Sequence, residues 1–263
     1  MVATDLITDP LFYAVAIPAL IVTGISKAGF GGITMLSVPL MALVISPVQA
    51  AGIMLPILIA MDFFSIWVYR KSWDKKNLLV LIPGSILGIT IGGLTAGSVD
   101  DNVVRLIVGL IAVSFVIYRL IIEAKLAKEN KKQKPLSAIR PSGLFWGALS
   151  GFTSFVAHAG SPPFQVYVLP QHLDKAVFAG TGVMFFAFGN ALKLIPYGML
   201  GQLSSANLVA SAVLLPLVPV GVLLGFWINR KMTQKMFYQV VLIIIFLVGL
   251  KLIWDGLSGT LNQ

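Results

Sequence analysis

The chain has 263 residues, of which 57% are hydrophobic and only 11% charged, and its mean hydropathy is +0.93. A soluble domain carries about 25% charged residues, because its surface must face water. The composition therefore excludes cytosolic enzymes, nucleic-acid binders and disordered linkers, and it leaves a polytopic membrane protein embedded in a lipid bilayer. Nineteen Lys and Arg against ten Asp and Glu give a net charge of +9. Seven of those cations fall between Arg119 and Arg140, so the excess follows the positive-inside rule rather than a polyanionic partner. The absence of cysteine removes disulfides, thiolate metal sites and thiol nucleophiles.

Met1–Pro10 carries Asp5 and Asp9 but no Lys or Arg, so it lacks the basic start of a cleavable signal peptide. Leu11–Ile45 is too long for one helix and is cut by a run from Gly24 to Gly32 that is rich in glycine. Val48–Tyr69, Leu78–Gly97 and Val103–Ile122 follow, each apolar over the roughly 20 residues a spanning helix needs. A basic linker comes next. Gly143–Pro170 is cut at Gly151 and at His158-Ala-Gly-Ser-Pro-Pro163. The last predicted spans are Ala176–Tyr197, Leu208–Ile228 and Phe237–Trp254. Clustered Gly and Pro break helices, so each interrupted stretch is predicted to be a pair of short helices around an irregular tip.

The chain reads as a duplication. At an offset of 128, Gly32 falls on Gly160, Ala51-Gly52 on Ala179-Gly180 and Asp62 on Asn190. At an offset of 133, Pro83 falls on Pro216, Gly88 on Gly221 and Gly92 on Gly225. Repeat one covers 11–123, the linker 124–140 and repeat two 141–256, all within one transmembrane domain of residues 1–263. Charge sets the topology. Arg70-Lys71 and Lys75-Lys76 place their loop inside, the acidic Ser98–Asp101 goes outside, and the linker returns inside. In the second half the uncharged Gly198–Ala206 goes outside, and Arg230, Lys231 and Lys235 mark an inside loop. Equivalent loops thus face opposite sides. The predicted fold is all-α, with two inverted-topology repeats, each a broken-helix hairpin followed by three transmembrane helices. Both termini are expected on the extracytoplasmic side of the cytoplasmic (inner) membrane.

Inverted repeats that open with discontinuous helices belong to secondary transporters. Where a tip starts a new helix, the first N–H groups are unpaired and carry about half a positive charge, a ready site for a small anion. At the second tip, beyond Gly160, Ser161 suits an N-cap and Pro162 the first helical position. At the first, Gly31-Gly32-Ile33-Thr34 exposes its backbone amides.

The segment from Gly24 to Pro39 (Gly-Ile-Ser-Lys-Ala-Gly-Phe-Gly-Gly-Ile-Thr-Met-Leu-Ser-Val-Pro) resembles the opening motif of the sulfite exporter TauE/SafE family. Ala51-Gly52, the basic hairpin before Leu81-Ile-Pro-Gly-Ser-Ile-Leu-Gly88, and Gly92-Gly93 extend the resemblance. It implies export of sulfite or of an organosulfonate such as sulfoacetate, without a cofactor. The second-half motif, Ala157-His-Ala-Gly-Ser-Pro-Pro163, departs from the Gly-Gly-rich version expected of the family.

Candidate substrate-binding residues are Lys27, Gly31, Gly32, Thr34, His158, Gly160, Ser161, Gln165, Asn190 and Lys193. Lys27 either offers a point charge to the anion or marks a cytoplasmic turn. His158 either contacts the anion and shuttles a proton or is a hydrogen-bonded turn residue. Asp62, the only carboxylate well inside an apolar span, lies eight residues before Arg70, or about 12 Å at 1.5 Å per residue. Intramembrane carboxylates are costly and mark ion or proton relays. Asp62 is therefore a proton-coupling candidate with His158, or else an ion-pair partner of Lys27 or Lys193. Lys193 shares a face with Asn190 but is close enough to Tyr197 and Gly198 to snorkel outward, which is the expectation here. Arg105 and Lys251, near helix ends, read as structural. A passive anion channel of the same fold is the alternative to a carrier. An intramembrane enzyme is disfavoured, because two histidines fourteen residues apart without Cys or a His-Glu-x-x-His run form no metal site.

Overall fold

The computed structural model describes residues 9–25, 27, 36–98, 100–128, 141–221, 223–224 and 234–261. The elements are α1 (Pro10–Ile25), α2 (Ser37–Met41), α3 (Pro47–Tyr69), α4 (Lys75–Ala96), α5 (Asp101–Lys128), α6 (Ser142–Ala157), α7 (Ser161–Val168), a 3-10 turn (Leu169–Gln171), α8 (Lys175–Met199), α9 (Ser205–Leu214) and α10 (Gln234–Leu261). Residues 217–221 are also helical, and the described residues contain no strand.

Local sequence sets most helix starts. Ser46 Oγ accepts from Gln49 N at 3.4 Å with Pro47 opening α3. Asp74 Oδ1 accepts from Asn77 N at 2.7 Å at the head of α4, and Asp174 Oδ1 from Ala176 N at 2.9 Å at the head of α8. Ser204 Oγ accepts from Asn207 N at 3.3 Å at the head of α9. Each cap satisfies a first-turn N–H that the helix itself cannot.

Among the described residues five segments are long and apolar enough to cross a membrane: Pro47–Tyr69, Lys75–Ala96, Asp101–Ile121, Ala176–Met199 and Leu242–Thr260. They match five of the six uninterrupted spans read from the sequence. The sixth, Leu208–Ile228, is not one continuous helix among its described residues. Helix α9 ends at Leu214, and Leu215 and Pro216 form a turn before residues 217–221 resume. Leu215 N still bonds to Ser211 O at 2.9 Å, but Val218 N reaches only three residues back, to Leu215 O at 3.0 Å. Pro216 has no N–H to continue the ladder, so the helix tightens there.

Glycine contacts fix how the helices lie. On α4, Gly84 abuts Leu144–Ala148, Gly88 abuts Ala148 and Phe152, and Gly92 abuts Phe155. The steady advance means that α4 and α6 run parallel with no room for a Cβ between them. Gly221 sits on the backbone of Leu20–Gly24 in α1. Gly109 of α5 meets Gly249 and Ile253 of α10, while Gly256 meets Asn102 and Leu106, so this pair is antiparallel. Helices α3 and α8 are also antiparallel. Gly52 near the start of α3 touches Gln202 beyond the end of α8, and Gly180 near the start of α8 touches Ser72 beyond the end of α3. Small residues let membrane helices approach closely enough for dispersion contacts to hold them, where lipid offers no hydrophobic drive.

Helix α3 is the buried centre. Ala50 to Leu55, Ile57, Leu58 and Met61 pack into the main core with Leu20, Leu36, Val108, Phe155 and Tyr197, among others. A second core joins Leu78 and Leu81 to Phe164, Tyr167 and Phe185. The exterior is apolar: Phe63, Phe64, Trp67, Leu94, Ile195, Met199, Leu223, Leu247 and Trp254 are all exposed. At one end of the bundle Ser46 Oγ bonds to Asp101 at 3.0 Å and Gln49 Nε2 to Asn207 Oδ1 at 3.2 Å. At the other, Asp74 N bonds to Thr181 Oγ1 at 2.8 Å and Asn77 Nδ2 to Gln171 Oε1 at 2.9 Å.

Gly88→Val should cost about 3 kcal/mol, since the added side chain meets α6 backbone that cannot give way. Thermal unfolding in detergent should show a clear fall in Tm. Gly198→Ala, where a Cβ meets nothing within 4 Å, should leave Tm unchanged or slightly raised.

Candidate functional site

The antiparallel crossing of α3 and α8 brings Asp62 and Asn190 together, each in the second half of its helix. Asp62 is 4% exposed. One of its oxygens pairs with the Lys27 ammonium just beyond α1. The other accepts from Asn190 Nδ2 at 2.6 Å. The carboxylate thus ties the end of α1 to both central helices. A buried charge is tolerable only when it is paired and its remaining lone pairs are bonded.

One turn along α8, Lys193 does not snorkel: it is 0% exposed. Its ammonium donates to Ser154 O and Ser154 Oγ, both at 3.1 Å, and bonds to His158 Nδ1 at 2.7 Å. The side chain points into the α6–α8 contact, where these three acceptors wait, instead of running up the helix to the interface. Tyr197, a further turn on, donates to Phe155 O at 2.6 Å and meets the Phe155 ring edge-on at 5.1 Å.

His158 terminates α6 in the left-handed region at φ 51°, and its own N–H bonds back to Ser154 O at 3.0 Å. The ring turns inward, 5% exposed, with Nε2 3.0 Å from Ala51 O on α3. A carbonyl can only accept, so Nε2 carries the proton. Nδ1 is then free to accept a hydrogen bond from the Lys193 ammonium, as a neutral imidazole with its proton on Nε2 does. The Lys193–His158–Ala51 chain links α8, α6 and α3.

Past His158 the chain doubles back. Ser150 Oγ donates to Gly160 O at 2.6 Å, and a Cβ on Gly160 would lie 2.6 Å from Ser150 O. Helix α7 begins at Ser161, so Ser161 and Pro162 fall inside the first turn, one residue later than the expected cap positions. The Ser161 hydroxyl accepts from Gln165 Nε2 at 2.9 Å, one turn along the same helix. The sequence therefore places the break at His158–Pro163 correctly, but not the one at Gly151, where α6 runs on unbroken because a lone glycine inside a packed helix costs little. Nor does it place the cap, because a serine followed by two prolines fits either position. Gly31, Gly32 and Thr34 lie outside the described residues. Arg105 bonds to Ala42 O and, at 3.1 Å, to Ile45 O, holding the turn after α2. Lys251 pairs with Asp255 on the exterior. No three His, Cys, Asp or Glu side chains gather to hold a metal among the described residues.

Beside the cluster lies a cavity of about 50 Å³ bounded by Val48, Ala51, Thr95, Phe155, Tyr197 and Gln202, among others. Ala51 and Tyr197 belong to both. Gln202 is buried there, and its Oε1 has no hydrogen-bond partner among the described residues. Ser154, Tyr197 and Gln202 were not singled out from the sequence. Only Ser154 left a signal, since Ser26 precedes it at the offset of the repeat.

Among the described residues the architecture is all-helical, with five helices long and apolar enough to cross a membrane and an apolar exterior, that of a multi-pass membrane protein. The sulfite exporter TauE/SafE family model matches residues 16–252, nearly the whole chain, and the protein belongs to that family, one of membrane transporters of small anions. Comparison with curated proteins and with solved structures gave no significant match.

Asp62→Ala leaves Lys27 buried without its partner and should lower stability by about 3–5 kcal/mol. Replacing both, as Lys27→Met with Asp62→Leu, should recover most of that loss. Chemical or thermal unfolding of the three proteins in one detergent checks both statements.

Proposed function

We propose that the protein is a secondary transporter that exports a small sulfur-containing anion, sulfite or an organosulfonate, by alternating access. The observation that carries this reading is Lys193. An ammonium fully buried at the centre of a membrane protein is costly, and here it is held by neutral acceptors on Ser154 and His158. Lys27, held by Asp62, is the second cation of the same cluster. An inside-negative potential drives an anion outward by about 2.3 kcal/mol per charge per 100 mV, so export needs no nucleotide.

The two halves serve as inverted repeats. This is supported by contacts that recur at the sequence offsets: Gly88 against Ala148 and Gly221 against Leu20, and Gly52 and Gly180 each against the turn beyond the partner helix. Asp62 and Asn190, equivalent in the duplication, bond to each other, as residues on a two-fold axis would. The acidic Asp100–Asp101 end faces out and the end bearing Arg70, Lys71, Lys75 and Lys76 faces the cytoplasm, with both termini outside the inner membrane. His158, Gly160, Ser161, Gln165 and Asn190 complete the binding region with Gly31, Gly32 and Thr34 of the first tip. Asp62 and His158 couple a proton.

The carrier is preferred to a channel because its central charges cross-link three helices, an arrangement that must be broken and remade in each cycle. Vesicles loaded with unlabelled sulfite should accelerate exchange of labelled sulfite; flux without trans-stimulation would instead indicate a channel. Asp62→Asn should abolish dependence on a pH gradient, and unchanged coupling would remove Asp62 from that role. In the cysteine-free chain, single cysteines at Ser98 and Ser204 should both react with an impermeant reagent from outside. Labelling from opposite faces would reject the inverted arrangement.

A further inference from the structure

The charges of the buried cluster do not cancel. Lys27 is matched by Asp62. Lys193 donates to a backbone carbonyl, a hydroxyl and an imidazole, none of which carries a negative charge. Of the ten carboxylates in the chain, Asp62 alone lies deep in an apolar span. Among the described residues the other carboxylates sit in loops or towards helix ends, and Asp255 on α10 is taken by Lys251 at the exterior. Arg105 belongs to the turn after α2 and adds nothing at the centre. With Lys193 protonated, the cluster of Lys27, Asp62, Asn190, Ser154, His158 and Lys193 holds one positive charge beyond the Lys27–Asp62 pair.

Resting on the transporter reading, we infer that the site selects anions of a single negative charge, and that Asp62 sets this selection by cancelling Lys27. A monoanion makes the occupied cluster neutral. A dianion leaves one buried negative charge without a partner, and in a low-dielectric surrounding that penalty is large. The acceptors around Lys193 are neutral, so an entering sulfur oxyanion can replace one of them without separating an ion pair. Sulfite exists near neutral pH as both hydrogensulfite and the dianion, and the singly charged form fits. Hydroxyethanesulfonate, with one charge, ranks above sulfoacetate and sulfate, each with two.

The charge count makes the selection reversible by design. Asp62→Asn raises the cluster to two unbalanced positive charges and should favour dianions. Lys27→Met combined with Asp62→Asn returns it to one and should restore the original ranking. Lys193→Met brings it to zero and should weaken every anion.

Calorimetric titration of the purified full chain in detergent, with hydroxyethanesulfonate and sulfoacetate as probes, tests this. The wild type should bind hydroxyethanesulfonate at least tenfold more tightly than sulfoacetate. That ratio should fall at least tenfold in Asp62→Asn and return in the double variant. Equal affinity for both probes in the wild type, or a ratio unmoved by Asp62→Asn, overturns charge selection while leaving the transporter standing. Failure of the folded wild type to bind either probe or sulfite overturns the transporter reading itself. Should Asp62→Asn not fold, Lys193→Met supplies the test: a tenfold loss of hydroxyethanesulfonate affinity supports the inference, and undiminished binding overturns it.

Discussion

A carboxylate at the crossing of two membrane helices organises this protein. Asp62 sits where α3 and α8 pass each other, and its two oxygens reach in different directions, to Lys27 beyond α1 and to Asn190 on α8. Without those partners the charge could not remain buried, because no water is at hand to solvate it. The pairing therefore fixes the depth of α3 against α8 and the position at which α1 ends. Lys193 depends on the same registry: it reaches Ser154 and His158 only because α8 is held at that height against α6.

Close packing supplies the rest. Helices α4 and α6 touch backbone to backbone along Gly84, Gly88, Gly147 and Gly151, and α5 meets α10 along Gly109, Gly249 and Gly256. Such seams are tight in one arrangement and have few alternatives, which suits elements that move as rigid bodies. Polar links join the helices both at the centre, through the Asp62 cluster and the Lys193–His158–Ala51 chain, and at the two ends of the bundle, through Ser46–Asp101, Gln49–Asn207, Asp74–Thr181 and Asn77–Gln171.

Hydrophobic length and Gly-Pro punctuation made the membrane class, five of the long spans and the break at His158–Pro163 legible before any coordinates. The pairing of Asp62 with Lys27 was among the expected alternatives, since a buried carboxylate must find a cation and few were available. Three features were not legible. Lys193 looked free to snorkel because its distance to the helix end is short, and only the position of Ser154 and His158 makes the inward rotamer better. Leu208–Ile228 read as one span because its hydropathy is unbroken, whereas Pro216 tightens the helix locally. The cap at Ser161 shifted by one residue, which side-chain preferences alone do not resolve.

The sequence by itself determined that this chain lives in a bilayer, where five of its long apolar segments run, where the second hairpin breaks, and that Asp62 lies deep in an apolar span among few ionisable residues. Those properties follow from local composition, because each residue carries its own transfer cost and its own backbone freedom. Tertiary structure alone decided which of those residues meet. Whether Lys193 faces lipid headgroups or Ser154, 39 residues away, and whether Asp62 finds Asn190, 128 residues away, depends on the relative height and rotation of helices distant in sequence. No local preference encodes that registry. It is set by the glycine seams and by the need of each buried charge for a specific neighbour.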